Sequence, residues 1–304
     1  MSETVTIGLD VGGTKVAGGL VSTTNEILAL RQRPTLVDGV RDPGLSVTLG
    51  VAQELMAEAD ARGLPVDGIG AGFPEYVDRA GQLRSHEVLS WTTQPAEMLS
   101  RVAPVTVESD VRCAALGEGA AGVARGLESF AFVIVGTGLS YALVEGGRAR
   151  PGARGEAIAL GELEVSRRVD ESAAVSLERF ASGDAIRGRY EALTGRVAAG
   201  AADVFGLAAT GDPAAAAILR SAGQALGEGL AALVWLMDPG AVVIGGGVAM
   251  ADGPWREALL SAFDSRLSSR PNRPAILWAT LGSEAGIIGA AIAHRRRRAE
   301  APPG

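Results

Sequence analysis

Asp10, Gly12, Gly13, Thr14 and Lys15 bring a carboxylate, two glycines, a hydroxyl and an ammonium into one tight turn, directly after Val5-Thr6-Ile7-Gly8-Leu9. These are the parts that meet a nucleotide phosphate and its Mg²⁺. Glycine lets backbone N–H groups approach phosphate oxygens, and the charged side chains address the metal and the anion. The spacing matches neither the GxxxxGK[ST] phosphate loop nor the GxGxxG dinucleotide fingerprint, which disfavours both. A second turn, Gly136-Thr137-Gly138, follows the apolar run Phe130 to Val135 and precedes Tyr141 to Val144. Each turn alone is also what a plain hairpin uses. Two of them, each strand–glycine turn–strand, suit a triphosphate held by backbone groups from both sides of a cleft.

The repeated pattern resembles the actin and hexokinase superfamily, and within it the ROK family (repressor, open reading frame, kinase) of sugar kinases. The family's opening D-x-G-G-T-K/N and later G-T-G are matched at Asp10 to Lys15 and Gly136 to Gly138. Further along, Gly245-Gly246-Gly247 resembles the family's adenosine-contacting turn, and Gly282 to Ala291 resembles its G-x-x-A-G-x-x-G-A-A close. The resemblance spans residues 7 to 291. It implies an α/β, two-domain, actin-like ATPase (ribonuclease H-like) fold with an interdomain cleft. ATP and Mg²⁺ are the expected cofactors, with Asp10 facing the metal. The expected nucleotide-binding residues are Asp10, Gly12, Gly13, Thr14, Lys15, Gly136, Thr137, Gly138, Gly245 and Gly246.

Asp110, in Glu108-Ser109-Asp110-Val111-Arg112-Cys113-Ala114-Ala115-Leu116-Gly117-Glu118, follows a strand-like run and precedes a helix-like one, where an aspartate on local grounds is an N-cap. The segment is similar to the family's x-E-N-D-x-x-x-A-A-L-G-E, whose aspartate is the base that accepts the proton of the sugar hydroxyl. An aspartate at its ordinary pKa is a weak base, so the expected contribution is orientation of the hydroxyl toward the γ-phosphorus.

Three more segments bear on the sugar. Gly152 to Ala159 aligns with G-x-x-A-G-E-x-G-H, matching a sugar-binding glutamate at Glu156 and replacing the histidine with Ala159. Ser176 to Gly183 resembles C-L-E-x-x-x-S-G, with Glu178 as another sugar carboxylate. Glu75 follows Phe73-Pro74 where many members have P-G, and Ser109 replaces an asparagine. The expected sugar-binding set is Glu75, Ser109, Asp110, Glu156 and Glu178. Three carboxylates would suit a cationic substituent, because charge-assisted hydrogen bonds are roughly twice as strong as neutral ones. The stretch Gly136 to Ala157 also looks like the kanosamine kinases of ansamycin antibiotic biosynthesis, which phosphorylate the 6-hydroxyl of 3-amino-3-deoxyglucose. Kanosamine is therefore the expected substrate. A glucokinase or another hexosamine kinase is the alternative, and a non-catalytic sugar-sensing protein is the alternative of a different class. The repressors of the family carry a winged-helix segment before the first strand, and no basic helix-turn-helix pattern precedes residue 4 here.

The elements that must position these residues read as three strands over residues 4 to 35, a helix over Leu45 to Arg62 and a strand ending at Gly72-Phe73-Pro74. After these come a strand over Val105 to Glu108 and a helix over Val111 to Ala124. The pattern then repeats with strands from Phe130, a long helix over Ala214 to Met237 and the strand Ala241 to Ile244. The expected organisation is a small N-terminal α/β domain, 1–110, and a larger C-terminal one, 111–285, with a helix at about 286–298 packing back on the first.

Length and composition suit two compact domains: 304 residues, 47% hydrophobic. A net charge of −7 argues against nucleic acid as a partner. No secretory leader pattern and no long apolar stretch are evident, so a cytoplasmic protein with no membrane partner is expected. The single Cys113 excludes an internal disulfide and reads as a buried apolar residue. With His86 and His294 as the only histidines, and without the family's C-x-C-G-x-x-G-C-x-E segment, no zinc site is expected. The family resemblance implies a homodimer.

Overall fold

The structure is a computed structural model that describes residues 4–170 and 175–300. Along the chain its strands and helices are β1 (Val5–Val11), β2 (Lys15–Ser22), β3 (Ile27–Pro34), β4 (Leu36–Val37), β5 (Val40–Arg41), α1 (Ser46–Ala61), β6 (Val66–Phe73), α2 (Pro95–Leu99), β7 (Val105–Ser109) and α3 (Asp110–Ala121). They continue with β8 (Ser129–Val135), β9 (Leu139–Glu145), β10 (Arg148–Ala149), α4 (Leu177–Ala181), α5 (Gly183–Thr194), α6 (Ala201–Ala209), α7 (Pro213–Met237), β11 (Ala241–Gly245), α8 (Pro254–Arg266), β12 (Ala275–Trp278) and α9 (Glu284–Glu300).

These elements form two compact units. The first comprises the chain up to Glu128, Val144–Ala157 and the chain from Thr280 onward; the second comprises Ser129–Leu143 and Ile158–Ala279. The first unit thus runs past the expected boundary at residue 110, and it also takes in the segment that carries Glu156. The reason is packing: α3 lies against α9 so closely that a Cβ on Gly289 would fall 1.6 Å from the Cys113 carbonyl oxygen. The same helix presses its backbone onto the sheet, where a Cβ on Gly8 of β1 would lie 2.1 Å from the Ile287 carbonyl oxygen.

In the first unit the strand order is β3-β2-β1-β6-β7. β1 runs antiparallel to β2 and parallel to β6, which is parallel to β7. Strands covered on both faces read as apolar runs rather than alternating ones, and β6 accordingly is Val-Asp-Gly-Ile-Gly-Ala-Gly-Phe with its last six residues buried. One core joins Ile7, Leu9 and Leu20 of the sheet to Val51 and Leu55 of α1. Helix α1 is started by the Asp42 carboxylate, which accepts the backbone N–H groups of Val47 (2.7 Å) and Thr48 (3.3 Å).

The second unit repeats the plan. The second sheet has the order β10-β9-β8-β11-β12, with β11 parallel to both β8 and β12, and short β10 pairing with Val144 and Glu145 of β9, residues counted above with the first unit. In both sheets the third, second, first, fourth and fifth strands in sequence lie side by side. The long α7 supplies much of the second core through Leu219, Leu226, Leu230 and Val234, packed with Trp255 and Leu259 of α8. Its start is fixed by Asp212, whose carboxylate accepts from Ala214 and Ala215, with Pro213 as the first helical residue. No single described helix is long and apolar enough to cross a membrane.

Candidate active site

Asp10, Gly72 and Asp110 lie at the C-terminal ends of β1, β6 and β7. The register pairs Asp10 with Gly72 and Gly72 with Glu108, so Asp110 stands just beyond the end of its strand, at the first position of α3. The N-cap of that helix is Ser109, and its side chain makes no capping bond. Asp110 Oδ1 instead accepts the backbone N–H of Val111 at 2.6 Å, and the Ser109 hydroxyl lies 3.4 Å from the same oxygen. Ser109 is fully buried, so its hydroxyl addresses Asp110.

Both aspartates are pushed upward in pKa. Burial raises Asp110 to about 7, helped by the negative charge of Asp10 and opposed by the Val111 N–H, the Ser109 hydroxyl and Arg112. Burial raises Asp10 to about 6, opposed by Lys15. Asp110 is therefore a stronger base than an ordinary aspartate, contrary to the expectation that only its orientation matters.

The Gly12–Lys15 turn is closed by its own backbone and by Thr35, the residue after β3. Gly12 N–H donates to the Lys15 carbonyl (2.9 Å), Thr35 N–H to the Thr14 carbonyl (3.0 Å) and the Thr35 hydroxyl to the Gly12 carbonyl (2.7 Å). Thr14 is exposed at its tip, and Lys15 Nζ reaches Gln32 Oε1 at 3.4 Å. The first turn of α9 approaches from the other side: a Cβ on Gly286 would lie 2.6 to 2.8 Å from the Asp10 carboxyl atoms. Only glycine leaves room there, and a helix N-terminus favours the negative charge beside it.

In the second unit the remaining nucleotide candidates gather at the C-terminal ends of β8 and β11. Gly136 N–H donates to the Gly138 carbonyl (3.0 Å), and Gly183 N–H, at the start of α5, donates to the Gly136 carbonyl (2.7 Å). Thr137 is exposed. Gly245 is registered beside Ile134, and Gly246 has φ +93° with its backbone against the Val135 carbonyl, where a Cβ would lie 2.4 Å from the oxygen. Glu178 belongs to this cluster: its Oε2 accepts the Leu139 N–H at 2.7 Å and lies against Gly138.

Glu75 requires a correction. The sequence places it at the sugar, yet its side chain is buried and both oxygens are taken by the loop that follows. Oε2 accepts from the Ser85 hydroxyl and Glu87 N–H, and Oε1 from Val88 and Leu89 N–H (2.9 and 3.0 Å). With four donors its acceptor capacity is filled. Its contribution is to fold residues 85–89, whose Val88 packs beside Gly13 of the Gly12–Lys15 turn. Glu156, by contrast, is exposed and pairs with Arg154 at 3.3 Å.

Two residues of α3 escaped the sequence reading. Arg112 is fully buried and binds Glu108 together with the carbonyls of Gly155 and Val77. Glu118 is also buried and accepts the N–H groups of Thr280 (2.9 Å) and Leu281 (2.8 Å), which anchors the lead-in to α9. The signal for both was available: a charge inside a helix whose residues after Asp110 are otherwise Val, Cys, Ala, Leu and Gly must find a partner or stay outside.

The family model described as ROK family matches residues 6–297. The bifunctional enzyme NanE/NanK of Brucella suis biovar 1 is 42% identical over 189 residues, 62% of this chain but 34% of that enzyme, so the chain spans about a third of that relative's length. A ROK hexokinase from Thermus thermophilus superposes with a TM-score of 0.85 at 32% identity, covering 98% of this chain and 100% of that one. A ROK glucokinase from Streptomyces griseus in complex with glucose and AMPPNP gives 0.76 at 27% identity, covering 96% of this chain and 99% of that one. The fold is the mixed α/β, actin-like one that these structures share. By the extent of the family match, this chain belongs to the ROK family.

Proposed function

We propose that this protein is an ATP-dependent sugar kinase that transfers the γ-phosphoryl group to the 6-hydroxyl of a hexose or hexosamine. The observation that carries the reading is Asp110, a carboxylate raised to about 7 at the end of β7, in the same sheet edge as Asp10 and the glycine turn. Such a base is ionised at mildly alkaline pH and matched to accepting a proton near neutrality.

Asp110 accepts the hydrogen of the sugar hydroxyl and aims its oxygen at the γ-phosphorus. The new O–P bond forms as the bond to the β–γ bridging oxygen breaks, ADP departs, and the hydroxyl proton ends on Asp110. Lys15 and the unbonded backbone N–H groups of the Gly12–Lys15 turn meet charge on the transferred group. The Asp10 side chain, raised by burial and left room by Gly286, fits a cation and would hold Mg²⁺. Mg²⁺ bound with ATP neutralises phosphate charge. The glucokinase relative in complex with glucose and AMPPNP supports ATP as donor.

For the sugar, the electrostatic case for a cationic substituent is reduced, because Glu75 is committed to its loop and Glu156 already faces Arg154. We therefore carry a neutral hexose or an N-acetylated hexosamine as the leading substrate, in keeping with the glucokinase from Streptomyces griseus and the N-acetylgalactosamine kinase AgaK of a Shewanella species among the similar proteins. Kanosamine keeps the support of the Gly136 to Ala157 resemblance. A homodimer is inferred from the family resemblance. The test is a coupled ADP-release assay with Mg·ATP over glucose, N-acetylmannosamine, glucosamine and kanosamine, the product located by ³¹P NMR. Sugar-dependent release with phosphate at O6 is expected. Release with none of the sugars would favour the non-catalytic alternative.

A further inference from the structure

We propose that Arg112 is a positioning residue that fixes the Gly155–Glu156 turn against the start of α3, and that this turn, held at a set place relative to Asp110, borders the sugar. This rests on the sugar-kinase reading above.

The guanidinium has no solvent exposure, and its donors span three separate segments. Nε and Nη2 each reach Glu108 Oε1 at 2.6 Å, Nη1 donates to the Gly155 carbonyl at 2.9 Å and Nη2 to the Val77 carbonyl at 2.7 Å. The two carbonyls belong to loops in direct backbone contact. Gly155 has φ +88°, and a Cβ there would lie 2.0 Å from the Val77 oxygen. Arg112 thus sits behind the junction of the two loops and binds both. Glu108 closes the arrangement by accepting the Ser109 N–H at 2.8 Å, so the residue before Asp110 is held by the carboxylate that holds Arg112.

A buried ion pair is a poor device for stability alone, because desolvation offsets its attraction. Its value is geometric: a planar fork with donors in fixed directions sets the distance between two carbonyls and a carboxylate in a way a flexible ammonium does not. What the fork locates here is the residue before Glu156 at one end and the residue before Asp110 at the other. The positive charge also acts on Asp110, whose pKa it lowers.

Three variants separate this role from general support. Arg112→Lys keeps the charge and loses the fork; Arg112→Met loses both; Gly155→Ala forces the turn off the Val77 carbonyl and leaves the charge. Arg112→Lys and Gly155→Ala should each raise the KM for sugar by about tenfold or more, with the KM for ATP within about twofold of wild type. Arg112→Met should in addition move the acid limb of the kcat/KM pH profile upward, which Gly155→Ala should not. Should the Arg112 variants fail to fold, the KM split in Gly155→Ala decides alone. Folded variants with an unchanged sugar KM, or with both KM values rising in step with lost thermal stability, would overturn the proposal. Wild type active on a sugar with flat variants removes only the role of Arg112; wild type inactive on every sugar removes the kinase reading and this proposal with it.

Discussion

Asp10, next to last in β1, and Asp110, just past the end of β7, stand on one edge of the sheet with the single strand β6 between them, their strands about 10 Å apart at the usual spacing. The charge of Asp10 is the second cause, after burial, of the raised pKa of Asp110. Like charges kept this close oppose folding, which is consistent with a site shaped for a cation and a transferring phosphoryl group.

The activity should follow the ionisation of that base. With Asp110 raised to about 7 and active as the carboxylate, kcat/KM for sugar should fall as pH drops through about 7, tenfold per unit well below it. An acid limb at the ordinary aspartate value, read from initial rates between pH 5.5 and 9, would contradict the assignment.

Stability should show the opposite sign. A carboxyl whose folded pKa lies above its unfolded value favours folding below the unfolded value, and that contribution is lost as pH rises through the folded value. Asp110→Asn should therefore melt higher than wild type at pH 8, the gap shrinking as pH is lowered from about 7 toward 4. Calorimetric scans at several pH values measure this directly.

Most of the frame around these residues was legible in the sequence. The runs before Asp10, Gly136 and Gly245 are strands, and the helices expected over Leu45 to Arg62 and Ala214 to Met237 form as α1 (Ser46–Ala61) and α7 (Pro213–Met237), because apolar period and glycine punctuation act locally. The partners of Glu75 and Arg112 were not legible. A carboxylate before a loop reads the same whether it turns to a ligand or folds back on Val88 and Leu89, and only the tertiary path decides. The boundary at residue 110 was misread for a related reason: α3 belongs to the first unit through its contact with α9, far away in sequence.

Gly286 tests how tightly Asp10 is held. Gly286→Ala places a methyl where the carboxyl atoms stand, so Asp10 must move. A shift of this size in a catalytic group costs on the order of 100-fold in kcat/KM. Steady-state kinetics with Mg·ATP varied should show it; a near-normal variant would remove Asp10 from the phosphate site.

Glu75→Gln keeps the shape and loses the charge that four donors share. The fold should lose about 1–3 kcal/mol, the range for disturbing a buried hydrogen-bonded group, while the ranking of sugars stays as in wild type. Urea titration and the sugar panel together read both effects, and a changed ranking on a stable fold would return Glu75 to the sugar.

His294 gives an acid-side prediction. Its ring lies 3.2 Å from the Thr106 hydroxyl and is buried with Asp67, Arg295 and Arg298 around it, and burial lowers its pKa below 6.5. The neutral form is the folded one, so this contribution to stability is present above 6.5 and lost as pH falls through the lowered value. The fall in melting temperature from pH 7 to pH 5 should be smaller in His294→Gln than in wild type. An equal fall would show that the ring has no part in the acid response.

The most direct test of the account is kcat for Asp110→Asn at pH 8 with the best sugar, beside calorimetric binding of that sugar to the same variant. A loss of about 100- to 10,000-fold in kcat, the usual worth of a positioned base, with sugar binding retained, is predicted. A variant that turns over at near the wild-type rate would contradict the claim that Asp110 takes the proton.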